Sequence, residues 1–284
     1  CAGLQPDTIS YIAAVNACAT AARWQPALGL LTHMPCTSLQ PSTVTYNGVI
    51  SACEEPAQWR AALGLATHMP CAGLEPNTAS CSATISASKR TAQWRLALGV
   101  LARMPQTGLQ PDSTSCSAAI HACETAVEWR RALGLLLHMH CTGLHTDTVS
   151  YNLVISACEK AAQPRFAAGI LAEMPLADLR PNEVSYAAAI GACGKAGLWR
   201  LALALLARMR WADLQPCAAN YNNAISACVQ AAQWGPALSL LALTPRESLE
   251  PNAGGCGAAA ITCERAAQLH RLPRLVVGML HASL

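Results

Sequence analysis

The chain has 284 residues, of which 52% are hydrophobic and 12% are charged, and its formal net charge is +3. High hydrophobic content with little net charge excludes an intrinsically disordered chain, and it also excludes a basic arm that coats nucleic acid through charge alone. Pro, Asn, Gln or charged residues interrupt every apolar run well before the ~20 residues of a membrane span, which favours a soluble chain without a membrane partner.

A repeat of 35 residues sets the positions of the rarer residue types. All seven methionines are separated by 35 residues or a multiple of 35, and six of the seven tryptophans follow the same rule. The methionines are Met34, Met69, Met104, Met139, Met174, Met209 and Met279, and the tryptophans are Trp24, Trp59, Trp94, Trp129, Trp199 and Trp234. Fixed periods of this length are the signature of repeat architectures.

Each repeat begins with a predicted helix of roughly 13 residues. In the repeat from Thr43 to Asn77, Tyr46, Ile50 and Cys53 fall at i, i+4 and i+7, which places them on one face of a helix. Ser42 precedes this first helix as its predicted N-cap. The equivalent caps are Asp7, Asn77, Asp112, Asp147, Asn182 and Asn252.

A second predicted helix starts near Trp59 and ends before Pro70, because proline cannot continue a helix. Pro26 and Pro236 fall in the first turn of the same helix in other repeats, where a missing N–H costs little. Each repeat is therefore a helix–turn–helix hairpin that is too small to bury its own apolar face, and neighbouring hairpins must stack.

The predicted fold is all-α, a right-handed α-solenoid of about eight 35-residue hairpins. Residues 1–7 match the tail of a preceding repeat, residues 8–252 form seven regular repeats, and residues 253–284 form a degraded terminal repeat in which Leu269 replaces the tryptophan. Because the chain begins with Cys1 and not with methionine, we expect it to be a fragment of a longer array.

The sequence contains no arrangement of residues typical of a catalytic or metal-binding site. A cysteine column along the first helices predicts buried free thiols, since equivalent Cα atoms on neighbouring helices exceed the ~7 Å limit for a disulfide. His33, His68 and His138 precede the methionines without a partner at metal-ligand spacing. The sequence therefore predicts no enzyme, no metal, no cofactor and no small-molecule substrate.

The repeat resembles the pentatricopeptide repeat, most clearly in DTVSYNLVISACE at 147–159 and PNEVSYAAAIGACGK at 181–195. A 34-residue tetratricopeptide template would fall seven positions out of phase over seven intervals. In its uniform repeat length of 35 residues, the chain resembles the pure class of this family. The resemblance implies that single-stranded RNA lies along the first helices with one repeat per base, that other RNA-processing proteins are partners, and that the protein works in a mitochondrion or chloroplast.

The resemblance also implies which residues read bases: the residue after the Tyr or Cys of each first helix, together with the next cap. The implied pairs are Asn47 with Asn77, Ser82 with Asp112, Ser117 with Asp147, Asn152 with Asn182, and Asn222 with Asn252. N-capping alone explains the cap residues. The first member of each pair favours function, because Asn and Ser off the apolar face are weak helix formers. By the family's code, the pairs specify pyrimidine–G–G–pyrimidine, one unread position, and pyrimidine.

Two further sets follow from the resemblance. The implied base wedges are Ile9, Val44, Val149 and Val184, and the implied phosphate contacts are Arg90, Lys160, Lys195 and Arg265. Several repeats lack a wedge, and the net positive charge is low. A protein-binding α-solenoid scaffold that has lost the RNA code therefore remains the alternative function.

Overall fold

The computed structural model describes residues 7–53, 58–89 and 93–243, and these ranges contain fourteen α-helices and no β-strand. The helices are α1 (Thr8–Thr20), α2 (Trp24–His33), α3 (Thr43–Ala52), α4 (Trp59–His68), α5 (Thr78–Lys89), α6 (Trp94–Arg103), α7 (Ser113–Thr125), α8 (Trp129–Cys141), α9 (Thr148–Lys160), α10 (Pro164–Glu173), α11 (Glu183–Ala196), α12 (Trp199–Trp211), α13 (Ala218–Gln230) and α14 (Trp234–Leu243). The predicted all-α fold class is confirmed.

Odd-numbered helices are the first helices of the seven hairpins, and even-numbered helices are the second helices. The chain divides into two compact units, Cys1–Thr146 and Asp147–Leu284. Within each unit, a first helix packs on the next first helix and on its own second helix, and each second helix packs on the following first helix. Stacking of hairpin on hairpin in this way is the packing of an α-solenoid, as the repeat predicts.

Small residues allow these helices to approach closely. The alanine column of the second helices is fully buried at Ala62, Ala97 and Ala132. In α11, a Cβ atom added to Gly194 would lie 2.8 Å from the backbone oxygen of Asn223 in α13, so the two backbones nearly touch. The buried alanines and Gly194 therefore serve the close packing of the hairpin stack.

The proline column decides the length of the second helices. In the second repeat, α4 ends at His68 and the chain continues through a 3₁₀ turn at Pro70–Ala72, which ends at Gly73 with φ +70°. Where the column holds His140 or Arg210, the helix runs on to Cys141 in α8 and to Trp211 in α12. Proline lacks the N–H that an α-helical turn needs, which explains the difference.

Some predictions concern residues outside the described ranges. They are residues 1–6 of the preceding-repeat tail, the degraded repeat at 253–284, and the side chains of Arg90, Asn252 and Arg265. Within the described part of the chain, no helix is both long enough and apolar enough to cross a membrane.

Candidate nucleic-acid interface

A shared hydrogen-bonded turn begins the first helices. In α7, the Asp112 carboxylate accepts from the Ser115 backbone N–H at 2.8 Å and from the Ser115 hydroxyl at 2.6 Å. The Asp112 N–H donates back to the Ser115 hydroxyl at 3.0 Å, which completes a capping box. The same side-chain capping bond is present at Asp7, Ser42, Asn77, Asp147 and Asn182. The N-cap role that the sequence predicts is therefore present at these six helices.

Two members of a predicted base-reading pair meet at the start of α5. The Asn47 side-chain amide, on α3, donates from Nδ2 to Oδ1 of Asn77 at 3.3 Å. The Ser80 hydroxyl donates to Oδ1 of Asn47 at 2.6 Å, and it also lies 3.0 Å from Oδ1 of Asn77. One serine thus holds both asparagines side by side on the surface.

The same arrangement recurs in the second unit. Asn152 Nδ2 donates to Asn182 Oδ1 at 3.3 Å, and the Ser185 hydroxyl donates to Asn152 Oδ1 at 2.5 Å. It recurs because Ser185 occupies the repeat position of Ser80. The serine three residues after the cap is therefore part of the site, and the sequence analysis did not identify it.

The side-chain atoms of the asparagine pairs differ in whether they already have hydrogen-bond partners. The Oδ1 of Asn77 is engaged by the Ser80 backbone N–H at 3.0 Å, which orients the amide so that Nδ2 faces outward. Among the described residues, this Nδ2 has no hydrogen-bond partner. Because both Oδ1 atoms of the pair are already engaged, the pair presents mainly N–H donors.

Ser82 and Asp112 form a pair of opposite character. The Ser82 hydroxyl donates to the Thr78 backbone carbonyl at 2.9 Å, so its lone pairs remain outward. One carboxylate oxygen of Asp112 is held by Ser115, and the other has no partner within the described ranges. No hydrogen bond joins Ser82 to Asp112 in this part of the chain. The pair therefore offers acceptors only.

Within the described ranges, the remaining base-reading candidates are half-buried or exposed at the starts of their helices. Ser117 is half-buried in α7, and Asp147 is exposed at the start of α9, where it accepts from the Ser150 backbone N–H at 2.8 Å. Asn222 is half-buried in α13, and its predicted partner Asn252 lies outside the described ranges.

The predicted base wedges are apolar side chains in contact with solvent. Exposure ranges from 56% for Val44 to 74% for Ile9, and Val149 and Val184 are both 61% exposed. Each lies two residues after the N-cap of its helix. A single exposed apolar residue is ordinary, and these four share one repeat position, two in successive repeats of each unit. Their role as base wedges remains a prediction.

The predicted phosphate contacts are less uniform. Lys160 is exposed at the end of α9. Lys195, in α11, lies 3.0 Å from the Glu159 carboxylate, and the lysine side chain is 48% exposed. An exposed pair of this kind is worth about 0–1 kcal/mol and is screened by salt. The phosphate role of these lysines remains a prediction.

In each of the first two hairpins, a tyrosine on the first helix contacts a histidine on the second helix. These contacts were not predicted from the sequence. The Tyr11 hydroxyl lies 2.8 Å from Nδ1 of His33, and the Tyr46 hydroxyl lies 3.1 Å from Nδ1 of His68. The signal was available, because both columns keep a constant 22-residue separation. These histidines are therefore part of the hairpin packing.

Within the described ranges, the cysteine column is buried except for the half-buried Cys18, and its thiols are free. Burial raises the pKa of the Cys53 and Cys123 thiols to about 11, and that of the Cys158 and Cys193 thiols to about 12. All twelve cysteines in the described ranges are free. A thiol with so high a pKa is a poor nucleophile, and these four thiols pack in the core.

The structure thus defines an α-solenoid whose first helices present polar pairs beside exposed apolar side chains. A family model of the pentatricopeptide repeat domain matches residues 1–55, 65–125 and 134–196, and a PPR repeat model matches residues 184–214. The chain belongs to the pentatricopeptide repeat family.

Solved structures with the same fold include relatives bound to RNA. The pentatricopeptide repeat protein PPR10 from maize aligns with a TM-score of 0.59 at 19% identity, over 99% of this chain and 48% of its own. PPR10 in complex with an 18-nt psaJ RNA element aligns with a TM-score of 0.53 at 16% identity, over 99% of this chain and 46% of its own. The PPR domain of Arabidopsis thaliana protein-only RNase P 1 in complex with tRNA aligns with a TM-score of 0.52 at 14% identity, over 60% of this chain and 90% of its own.

These comparisons establish the fold, and this chain spans about half the length of PPR10. Comparison with curated proteins gives no match.

Proposed function

We propose that this chain is a non-catalytic, sequence-selective binder of single-stranded RNA. The observation that carries the proposal is the recurring network in which one serine holds two asparagines together, at Asn47–Asn77 and at Asn152–Asn182. N-capping requires only the second asparagine of each pair. The first asparagine contributes a surface amide that capping does not need. Its own helix also carries an exposed valine, which is Val44 on α3 and Val149 on α9.

The donor and acceptor patterns support different bases for the two kinds of pair. The asparagine pairs present N–H donors, which complement the acceptor oxygens on the Watson–Crick edge of a pyrimidine. Ser82 with Asp112 presents acceptors, which complement the N1–H and N2–H₂ donors of guanine. The hydrogen-bond chemistry therefore supports three positions of the order pyrimidine–G–G–pyrimidine that the family resemblance implies: the two pyrimidines and the first guanine.

The test exchanges one pair for the other. The double substitution Ser82→Asn and Asp112→Asn should shift the preference at one base from guanine to pyrimidine, measured by fluorescence anisotropy against RNAs that differ at that base. The reciprocal control, Asn47→Ser with Asn77→Asp, should shift the neighbouring base from pyrimidine to guanine. Unchanged affinities across the panel for both variants would refute base reading by these residues.

A protein-binding scaffold is the second candidate, and the charge of the first helices favours it. In the described ranges they carry three lysines and three glutamates, so they offer little attraction to phosphate. Four phosphate contacts at the predicted positions would give a log–log salt slope of only about −3. Selection from a random RNA pool at low salt separates the candidates, because a scaffold would enrich no sequence.

We further propose that the protein works in a mitochondrion or chloroplast, where it protects or remodels a transcript or recruits other RNA-processing proteins. This proposal rests on the family. Imaging of the full-length protein with a C-terminal fluorescent tag tests the location, and a cytosolic signal would refute it.

A further inference from the structure

Charge is divided unequally between the two sets of helices. In the described ranges, the first helices hold as many glutamates as lysines, and three of their N-caps are aspartates. The second helices hold nine arginines and one glutamate. The arginines are Arg60, Arg95, Arg103, Arg130, Arg131, Arg165, Arg200, Arg208 and Arg210, and the glutamate is Glu173. Among the described helices, the positive charge is therefore concentrated on the second helices.

Four of these arginines form an ordered row in the first unit, which we call the arginine stripe: Arg60, Arg95, Arg130 and Arg131. Three of them stack on the tryptophan that precedes them, with the guanidinium carbon 5.1–5.2 Å from the ring centroid. Arg131 reaches across to Trp94 of the preceding repeat at 5.9 Å. Each arginine is thus held by an aromatic ring in the first turn of α4, α6 or α8.

Stacking leaves the hydrogen-bonding edges of the guanidinium groups available. All four side chains are exposed, and among the described residues no carboxylate lies within salt-bridge distance of them. A guanidinium has five N–H donors in a fixed plane, which matches phosphate oxygens better than a lysine ammonium does. A stacked arginine also loses less conformational freedom when it binds, because part of that loss has already occurred on folding.

We infer that the arginine stripe binds the phosphodiester backbone of a nucleic acid strand, at a site separate from the base-reading pairs. The first helices run between the two sites. At about 1.5 Å per residue, the helix end nearest the stripe lies roughly 15–20 Å along the axis from the caps and about 8–12 Å from the first members of the pairs. The stripe recurs in register along successive second helices, which suits a ligand of regularly spaced charge. Half-buried tryptophan rings beside each guanidinium provide aromatic surface of the kind that single-strand sites use.

The experiment uses a strand without bases, so that base reading cannot contribute. The probe is a fluorescein-labelled abasic sugar–phosphate strand of about 16 units, titrated with the whole chain at several salt concentrations. Substitution of all four arginines by glutamine should reduce the log–log salt slope by about 3, at about 0.7 per phosphate contact for a single strand. Between 50 and 200 mM salt, the wild-type affinity should then fall about 50-fold more than that of the variant.

The matched control replaces the same four arginines by lysine, which keeps the charge and should keep the slope close to that of the wild type. Far-ultraviolet circular dichroism checks that both variants remain helical. Absence of abasic-strand binding by the wild type at low salt, or an equal slope for the glutamine variant, overturns the inference. Equal competition by a polyglutamate of matched charge also overturns it, because the surface would then suit an acidic protein.

The inference does not depend on base reading. If the base panel shows no preference while the abasic strand still binds through the stripe, the proposed function fails and the stripe stands. If the base preferences appear while the glutamine variant keeps the wild-type slope, the stripe fails and the proposed function stands.

Discussion

Substitution of Ala66 by leucine should stabilise the chain by filling a cavity that the repeat register leaves open. The cavity has a volume of about 280 Å³ and lies among α4, α5 and α6. Ala66 and Cys81, which both line it, have smaller side chains than most of their equivalents in other repeats. Other repeats place a buried leucine at the position of Ala66, such as Leu31 and Leu101, and tyrosine occurs at the position of Cys81 in five repeats.

The magnitude follows from the carbons added. Leucine adds three carbons to alanine, and at about 0.8 kcal/mol per buried methylene their transfer from water is worth about 2.4 kcal/mol. Ordering the new side chain costs about 0.5–1 kcal/mol. Because Ala66 is half-buried, a leucine here remains partly hydrated. The net gain should be about 1.5 kcal/mol.

Hydrogen exchange of the α5 amides provides a local assay, which matters because long repeat arrays do not always unfold in one step. A gain of about 1.4 kcal/mol slows exchange through cooperative opening about tenfold. The matched control is Ala102→Leu, the same change at an exposed position of α6, which should alter stability by less than about 0.5 kcal/mol. Slower exchange in the control than in Ala66→Leu, or faster exchange in Ala66→Leu than in the wild type, would refute this explanation of the cavity.

Three further predictions concern capping, thiols and charge. Asp112→Ala should destabilise the chain by about 1 kcal/mol in urea unfolding, whereas Asp112→Asn should preserve stability because asparagine also caps; equal losses would contradict the capping argument. Burial holds the pKa of the Cys158 thiol at about 12, above the unfolded value of 9.0, so its stabilising contribution is complete below pH 9 and is lost as the pH rises towards 12. The urea concentration at the unfolding midpoint should therefore decrease as the pH is raised above 9. Ellman's reagent at pH 8 should label the exposed Cys36 but not Cys158 until the chain unfolds, and rapid labelling of Cys158 would argue against its burial. Glu159→Gln should release Lys195 from its ion pair and raise RNA affinity at low salt, an effect that should vanish at high salt; lower affinity would count against a phosphate contact at Lys195.

Most of the fold could be predicted from periodicity. The register of Tyr46, Ile50 and Cys53 placed the first helices, and all three residues are buried. The second helix was expected to start at Trp59 and to end before Pro70, and α4 spans Trp59–His68. These features are local, because cap, apolar spacing and proline act within one or two turns.

The site was only partly predictable. The family resemblance implied Asn47 and Asn77 as a pair, but the part played by Ser80 depends on the close packing of α3 on α5. Likewise, the sequence shows that arginine follows tryptophan in several repeats, but the reach of Arg131 to Trp94 required the packing of adjacent hairpins. The low net charge left a protein-binding scaffold as the alternative, but within the described ranges the charges are unevenly distributed between the first and the second helices.

By itself, the sequence determined the hairpin and its caps, because a 35-residue period places the same residue types, and so the same local interactions, in successive repeats. Only the tertiary structure decided which polar atoms remain outward and which cavity stays open. The hydrogen bonds of Asn47 depend on Ser80, 33 residues away, and the cavity depends on Ala66 and Cys81 on different helices. Such properties belong to pairs of side chains that only packing brings together.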